Sequence, residues 1–192
     1  SGAPAPPRTI DPVSNAAPTA DIGPVLRRYW GFDSLRPLQE QAIRLVTQQR
    51  DSLVVMPTGG GKSLCYQLPP LLTGRLSVVV SPLIALMKDQ VDGLRLIGYP
   101  AAALYSGQDA AEQREIGRRL DSGELRLLFL APERLLTPSM LARLASLNSG
   151  AGPATFAIDE AHCISQWGHD FRPEYRRLKE LREVYPHAAF NG

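Results

Sequence analysis

Six short apolar runs punctuate the chain, at residues 53–56, 77–80, 101–105, 125–130, 155–158 and 188–190. Each is too short for a stable helix and is dominated by Val, Leu, Ile, Ala or Phe at consecutive rather than alternate positions. That pattern belongs to strands covered on both faces. Between the runs lie stretches of helical length, at 38–49, 62–72, 83–96, 110–120, 139–147 and 173–184. Strands that alternate with helices require right-handed crossovers. The expected fold is therefore α/β, three layers deep, with a mostly parallel sheet and helices on both faces. Ligands in such sheets gather at the carboxyl ends of the strands. Residues 148–153, rich in Gly and Ser, read as a surface loop within the domain, and no internal repeat is visible.

Residues 1–21 have a different texture. Pro4, Pro6, Pro7, Pro12 and Pro18 stand among Ala and small polar residues. A segment with so little to bury is expected to be an extended or disordered leader, with the folded unit at 22–192. The first methionine is Met56, so Ser1-Gly2 is expected to be a processed or truncated start. The chain is 44% hydrophobic and 21% charged, which suits one globular domain. Its formal net charge of +2 gives no strong global field, so any nucleic-acid surface has to be local. Cys65 and Cys163 form no Cys-x-x-Cys pair, which argues against zinc and for a reducing compartment. No apolar run has membrane-spanning length, so no membrane partner is expected.

The first apolar run leads into Met56-Pro57-Thr58-Gly59-Gly60-Gly61-Lys62-Ser63 and then into a helical stretch. Glycines at 59, 60 and 61 let backbone N–H groups turn toward a phosphate, and the helix start adds a positive dipole end. Lys62 is placed for the β- and γ-phosphates and Ser63 for Mg²⁺. The strict phosphate-loop pattern has Gly where Met56 stands, so this loop is a variant. An ordinary glycine-rich turn would explain the glycines but not Gly-Lys-Ser after a buried strand.

A second constellation follows the fifth run. Thr155-Phe156-Ala157-Ile158 ends in Asp159-Glu160-Ala161-His162. Acidic residues after a strand are often solvated caps. At the carboxyl end of a parallel strand, downstream of a phosphate loop, they have distinct chemistry available. Asp159 can hold Mg²⁺, largely through water, and Glu160 can orient an attacking water. His162 is placed to sense the γ-phosphate and relay to a nucleic-acid surface, although a lone His is commonly a packing residue.

The next residues are Cys163-Ile164-Ser165-Gln166-Trp167-Gly168-His169-Asp170-Phe171-Arg172-Pro173-Glu174-Tyr175. Aromatics beside Arg in a turn-rich loop make a surface for stacking bases and gripping phosphates. A random Trp would more often be core. This stretch closely resembles the aromatic-rich loop of the RecQ family of DNA helicases. The segments Met56 to Gln67, Val80 to Val91 and Ala131-Pro132-Glu133-Arg134-Leu135 are similar to that family's phosphate loop, motif Ia and motif Ib. Trp30-Gly31-Phe32-Asp33-Ser34-Leu35-Arg36-Pro37-Leu38-Gln39 resembles its adenine-recognition motif, with Leu38 where the family usually has Gly. The resemblance runs from about Val25 to Phe190 and leans toward bacterial members.

The resemblance implies a RecA-like P-loop NTPase lobe that uses ATP and Mg²⁺. It implies that Gln39 reads the adenine edge, with Phe32 and Arg36 flanking the base. It implies that Trp167, His169, Phe171 and Arg172 couple single-stranded DNA to hydrolysis. The parent would be a 3′-to-5′ helicase acting on single-stranded DNA and duplex junctions in repair and recombination. Its location would be the bacterial cytoplasm at the nucleoid, or the nucleus in a eukaryote. The family's second lobe, zinc-binding region and winged helix have no counterpart in residues 22–192, so this chain alone is expected not to unwind DNA. Two other readings stand beside this one. An RNA helicase also carries Asp-Glu-Ala-His but lacks the Trp167–Arg172 loop. A non-catalytic, truncated nucleotide- or DNA-binding module would use the leader or the DNA surface to recruit partners.

Overall fold

The computed structural model describes residues 21–48, 61–150 and 152–159, together with the backbone of 189–191. The expected strand at 53–56, the helix at 173–184 and the leader 1–20 lie outside the described residues. Five strands form one sheet in the order β2-β3-β1-β4-β5: β1 Ser77–Val80, β2 Ala101–Leu104, β3 Leu127–Leu130, β4 Thr155–Ile158 and β5 Ala189–Asn191. Every pairing is parallel. In β1, Val78 lies level with Leu128 on one side and Phe156 on the other. The ladder continues past the strand ends, where Ser81 N donates to Leu130 O at 3.1 Å and Asp159 N to Val80 O at 2.9 Å.

The period of two along each strand sorts side chains into two cores. Val78, Val80, Leu104, Leu128, Leu130 and Phe156 face three helices on one side. These are α5 Ala110–Asp121, the single turn α6 Pro132–Leu135 and α7 Pro138–Gly150. They contribute Ile116, Leu120, Leu135, Met140 and Leu144. Val79, Ala101, Ala103, Leu127, Phe129 and Ala157 face the opposite way, toward α3 Lys62–Thr73 and α4 Ile84–Leu96, which supply Tyr66, Met87, Val91 and Leu94. Three layers follow directly, as the unbroken apolar runs require.

A third cluster joins α1 Ile22–Trp30 and α2 Pro37–Thr47 to the outer side of α3 through Leu26, Ile43, Leu64 and Leu68. Helix α1 was not anticipated, although its apolar residues 22, 25, 26, 29 and 30 follow the helical spacing i, i+3, i+4, i+7, i+8. Gly23 and Pro24 mask that signal, yet Pro is well placed in a first turn, and Asp21 accepts from Gly23 N as the N-cap. Helix α3 runs through Pro69 and Pro70 and stops at Gly74. The expected loop at 148–153 is only partly on the surface. Regular helix geometry ends before Leu147, Asn148 and Ser149 adopt left-handed φ of 50° and 57°, and Gly152 and Pro153 are buried.

Candidate functional site

Two features meet at the carboxyl edge of the sheet. The first is the start of α3. Gly61 caps it with φ of 76°, a left-handed conformation that L side chains rarely adopt. A Cβ there would also overlap the side-chain amide of Gln39. Lys62 and Ser63 follow in the first turn, both half-buried. The start of the helix carries the positive end of its dipole.

Gln39 arrives from α2. Pro37 occupies the first helical position and holds Arg36 extended, with ψ of 151°. Gln39 Oε1 then accepts from Arg36 N at 2.9 Å, and its Nε2 donates to Gly61 O at 3.2 Å. The amide is buried and bridges the expected adenine motif to the last glycine of the expected phosphate loop. Phe32, in the connection between α1 and α2, and Leu38, in the first turn of α2, are exposed, at 53% and 56%. Leu38, unusual by the resemblance, sits without conflict as the second residue of α2.

The second feature is Asp159, buried at the end of β4. Its Oδ2 accepts from Gln90 Nε2 at 3.1 Å and lies 3.3 Å from Tyr66 Oη. Tyr66 Oη in turn donates to Gln90 Oε1 at 2.7 Å. Tyr66 is three residues beyond Ser63 and four beyond Lys62, so all three share one face of α3. The contact from Tyr66 therefore brings the Asp159 carboxylate toward the face of α3 that carries Lys62 and Ser63. Neither Tyr66 nor Gln90 was singled out from sequence. Each bonds across 24 to 93 positions of chain, a separation at which local pattern carries no signal.

A bound Mg²⁺ suits this arrangement. A buried carboxylate and a helix-start hydroxyl come from elements that Tyr66 ties together, and oxygen donors match a hard cation. Among the described residues no cluster of three His, Cys, Asp or Glu side chains could hold a metal by itself, so Mg²⁺ would depend on water and phosphate oxygens. Cys65, buried against α2, has its thiol pushed up to about 11 by burial, which makes it a packing residue. Thr58, Gly59, Gly60, Glu160, His162, Trp167, His169, Phe171 and Arg172 lie outside the described residues.

The same edge carries further buried polar atoms. Ser81 Oγ after β1, Gln108 Oε1 after β2 and Arg134 Nε after β3 have no hydrogen-bond partner among the described residues. Arg134 donates from Nη2 to Gln113 Oε1 at 3.1 Å, and Gln113 Nε2 donates to Gln108 O at 2.9 Å. No described helix is long and apolar enough to cross a membrane.

Residues 36–190 match the DEAD/DEAH box helicase family. The ATP-dependent DNA helicase RecQ of Pasteurella multocida is 49% identical over 164 residues, covering 85% of this chain and 25% of that protein. The RecQ of Bacillus subtilis is 47% identical over 163 residues, covering 84% of this chain and 27% of that protein. The chain thus spans about a quarter of the length of these relatives. In fold it is similar to a hypothetical ATP-dependent RNA helicase from Sulfolobus tokodaii, with a TM-score of 0.68, 22% identity, and coverage of 90% of this chain and 50% of that one. The chain belongs to the DEAD/DEAH box helicase family, and its likeness within that family runs to the RecQ-type DNA helicases, bacterial ones among them.

Proposed function

We propose that this chain is the ATP-binding lobe of a RecQ-type DNA helicase, holding MgATP between the start of α3 and the end of β4. The observation that carries the reading is the buried Asp159 joined through Gln90 and Tyr66 to the helix that opens with Gly61-Lys62-Ser63. Lys62, the backbone of Gly59 to Gly61 and Thr58 hold the phosphates, aided by the helix dipole. Ser63 and Asp159 hold the metal, which when bound neutralises charge on the β- and γ-phosphates. Glu160 orients the attacking water, and His162 links the γ-phosphate to the DNA side. Gln39 meets the adenine edge while Phe32 and Arg36 flank the ring.

Gln39 already spends one donor and one acceptor on the chain, so adenine would take its second Nε2 hydrogen and the remaining Oε1 lone pair. Trp167, His169, Phe171 and Arg172 contact single-stranded DNA. Ser81 Oγ after β1 and Arg134 Nε after β3 lie at the same edge and supply further donors for its backbone. Translocation is 3′ to 5′ and requires a second lobe to complete the hydrolytic site. The protein would work where DNA is, at the bacterial nucleoid or in a nucleus.

Equilibrium titration with a fluorescent ATP analogue tests the reading. Wild-type chain is expected to bind in Mg²⁺, and Lys62→Ala to lose at least about tenfold in affinity, since a charge-assisted contact is worth about 1.5–3 kcal/mol. Equal affinities would overturn it. In a two-lobed helicase carrying this segment, ATPase stimulation by single-stranded DNA over RNA, lost in Trp167→Ala, separates the DNA from the RNA reading.

A further inference from the structure

The triangle of Tyr66, Gln90 and Asp159 has a defined sense. Tyr66 has one hydroxyl proton, and its shorter contact is to Gln90 Oε1, at 2.7 Å against 3.3 Å to Asp159 Oδ2. That bond points the amide oxygen of Gln90 at Tyr66 and its NH₂ at Asp159, where Nε2 donates at 3.1 Å. Reversing the amide would put its oxygen against a carboxylate oxygen, acceptor against acceptor, and would leave the tyrosine proton facing a donor. The orientation of Gln90 is therefore specified rather than free. A Glu in its place could not donate to Asp159, and an apolar residue could do neither job.

We infer that Gln90 is a positioning residue for the metal-binding carboxylate, with Tyr66 fixing the amide that fixes Asp159. The inference rests on the reading of Asp159 as the Mg²⁺ carboxylate. It adds that the carboxylate's orientation is set from α4, by an amide that is itself held from the helix of the phosphate loop. Tyr66 is buried, while Gln90 is half-buried at the same level of α4 as Met87 and Val91, which anchor that helix in the core. The side chains that aim Asp159 are thus carried on elements that cannot readily shift. Residues that orient a metal's ligands from behind typically alter metal affinity by about 10–100-fold when lost. A metal held partly through water sits at the low end of that range.

The test measures binding of a fluorescent ATP analogue to the 192-residue chain in excess Mg²⁺ and in EDTA. The ratio of the two affinities reports the metal's contribution. Asp159→Ala is expected to bring the ratio close to one. Gln90→Met, which keeps side-chain length and helix preference, is expected to cut it about tenfold and leave the EDTA affinity unchanged. Tyr66→Phe keeps the buried ring and is expected to fall between. It also carries the test if Gln90→Met unfolds, as judged by circular dichroism. A full ratio in Gln90→Met and Tyr66→Phe, with the ratio lost in Asp159→Ala, overturns the inference and leaves the metal reading intact. Equal losses in Mg²⁺ and EDTA overturn it too, because they mark a purely structural contact. A full ratio in Asp159→Ala, or none in wild type, instead overturns the metal reading itself.

Discussion

Gly61 is held by two independent demands. Its φ of 76° costs an L residue about 1–2 kcal/mol, and a Cβ would collide with the Gln39 amide. Gly61→Ala is therefore expected to lower the melting temperature by a few degrees and, at the proposed site, nucleotide affinity by at least about tenfold, because the start of α3 and Gln39 must both move. The two residues should also couple. Removing the amide in Gln39→Ala relieves the collision, so the stability loss of the double variant should be less than the sum of the single losses. Additive losses, measured by thermal melts of the four proteins, would show that the strained dihedral alone matters. Gly61, Lys62, Ser63 and Asp159 could be singled out in the sequence because the chemistry of phosphate and Mg²⁺ favours those residue types beside strand ends. Tyr66 and Gln90 were not. A tyrosine and a glutamine on helices read as ordinary packing and solvation until the fold brings them to Asp159.

Elements behave the same way when a contact spans two of them. Arg143 of α7 reaches across α5 and grips Asp121 with Nε at 2.9 Å and Nη2 at 2.6 Å. It can cross because α5 has Gly117 there; a Cβ would stand 2.7 Å from Arg143 Nη2. The hydrogen bonds from Arg143 hold the Asp121 carboxyl below its usual range. A depressed folded pKa stabilises above the unfolded value, near 3.9, and the benefit disappears as pH falls through the folded value. Both side chains are substantially exposed, at 40% and 54%, so the pair is expected to couple by under about 1 kcal/mol. Replacing Gly in a helix interior by Ala gains up to about 1 kcal/mol. The gain should win. Gly117→Ala is expected to hold or raise the melting temperature at pH 7 while the Arg143–Asp121 coupling, read by a double-mutant cycle, vanishes. A clear fall in melting temperature would show that the strut outweighs helix propensity. The strands of the sheet were legible for the opposite reason. Burial on both faces writes itself into consecutive apolar residues, whereas α1 hid behind Gly23-Pro24, and the end of α7 depends on the left-handed Asn148 and Ser149.

At the scale of the molecule, one sheet separates two cores, and the proposed nucleotide site sits where α3, β4 and α2 meet at its edge. A ligand there touches elements of the sheet, of one helical layer and of the outer α1–α2 cluster, so binding should stabilise the described fold as a unit. Stabilisation by a ligand grows by about 1.4 kcal/mol for each tenfold rise in concentration above its Kd. For a domain of this size each kcal/mol moves the melting temperature by about 2–4 °C. The melting temperature of the chain in Mg²⁺ is therefore expected to climb about 3–6 °C per decade of ATP once the site saturates. Lys62→Ala should shift the onset of that climb to higher concentration, since affinity and not linkage has changed. The slope needs no knowledge of Kd, which makes it a test of the whole architecture and not of one contact. A flat melting temperature across millimolar ATP would mean that the edge of the sheet holds no nucleotide. An identical onset in wild type and Lys62→Ala would mean that nucleotide binds elsewhere, and the start of α3 would lose its assigned role.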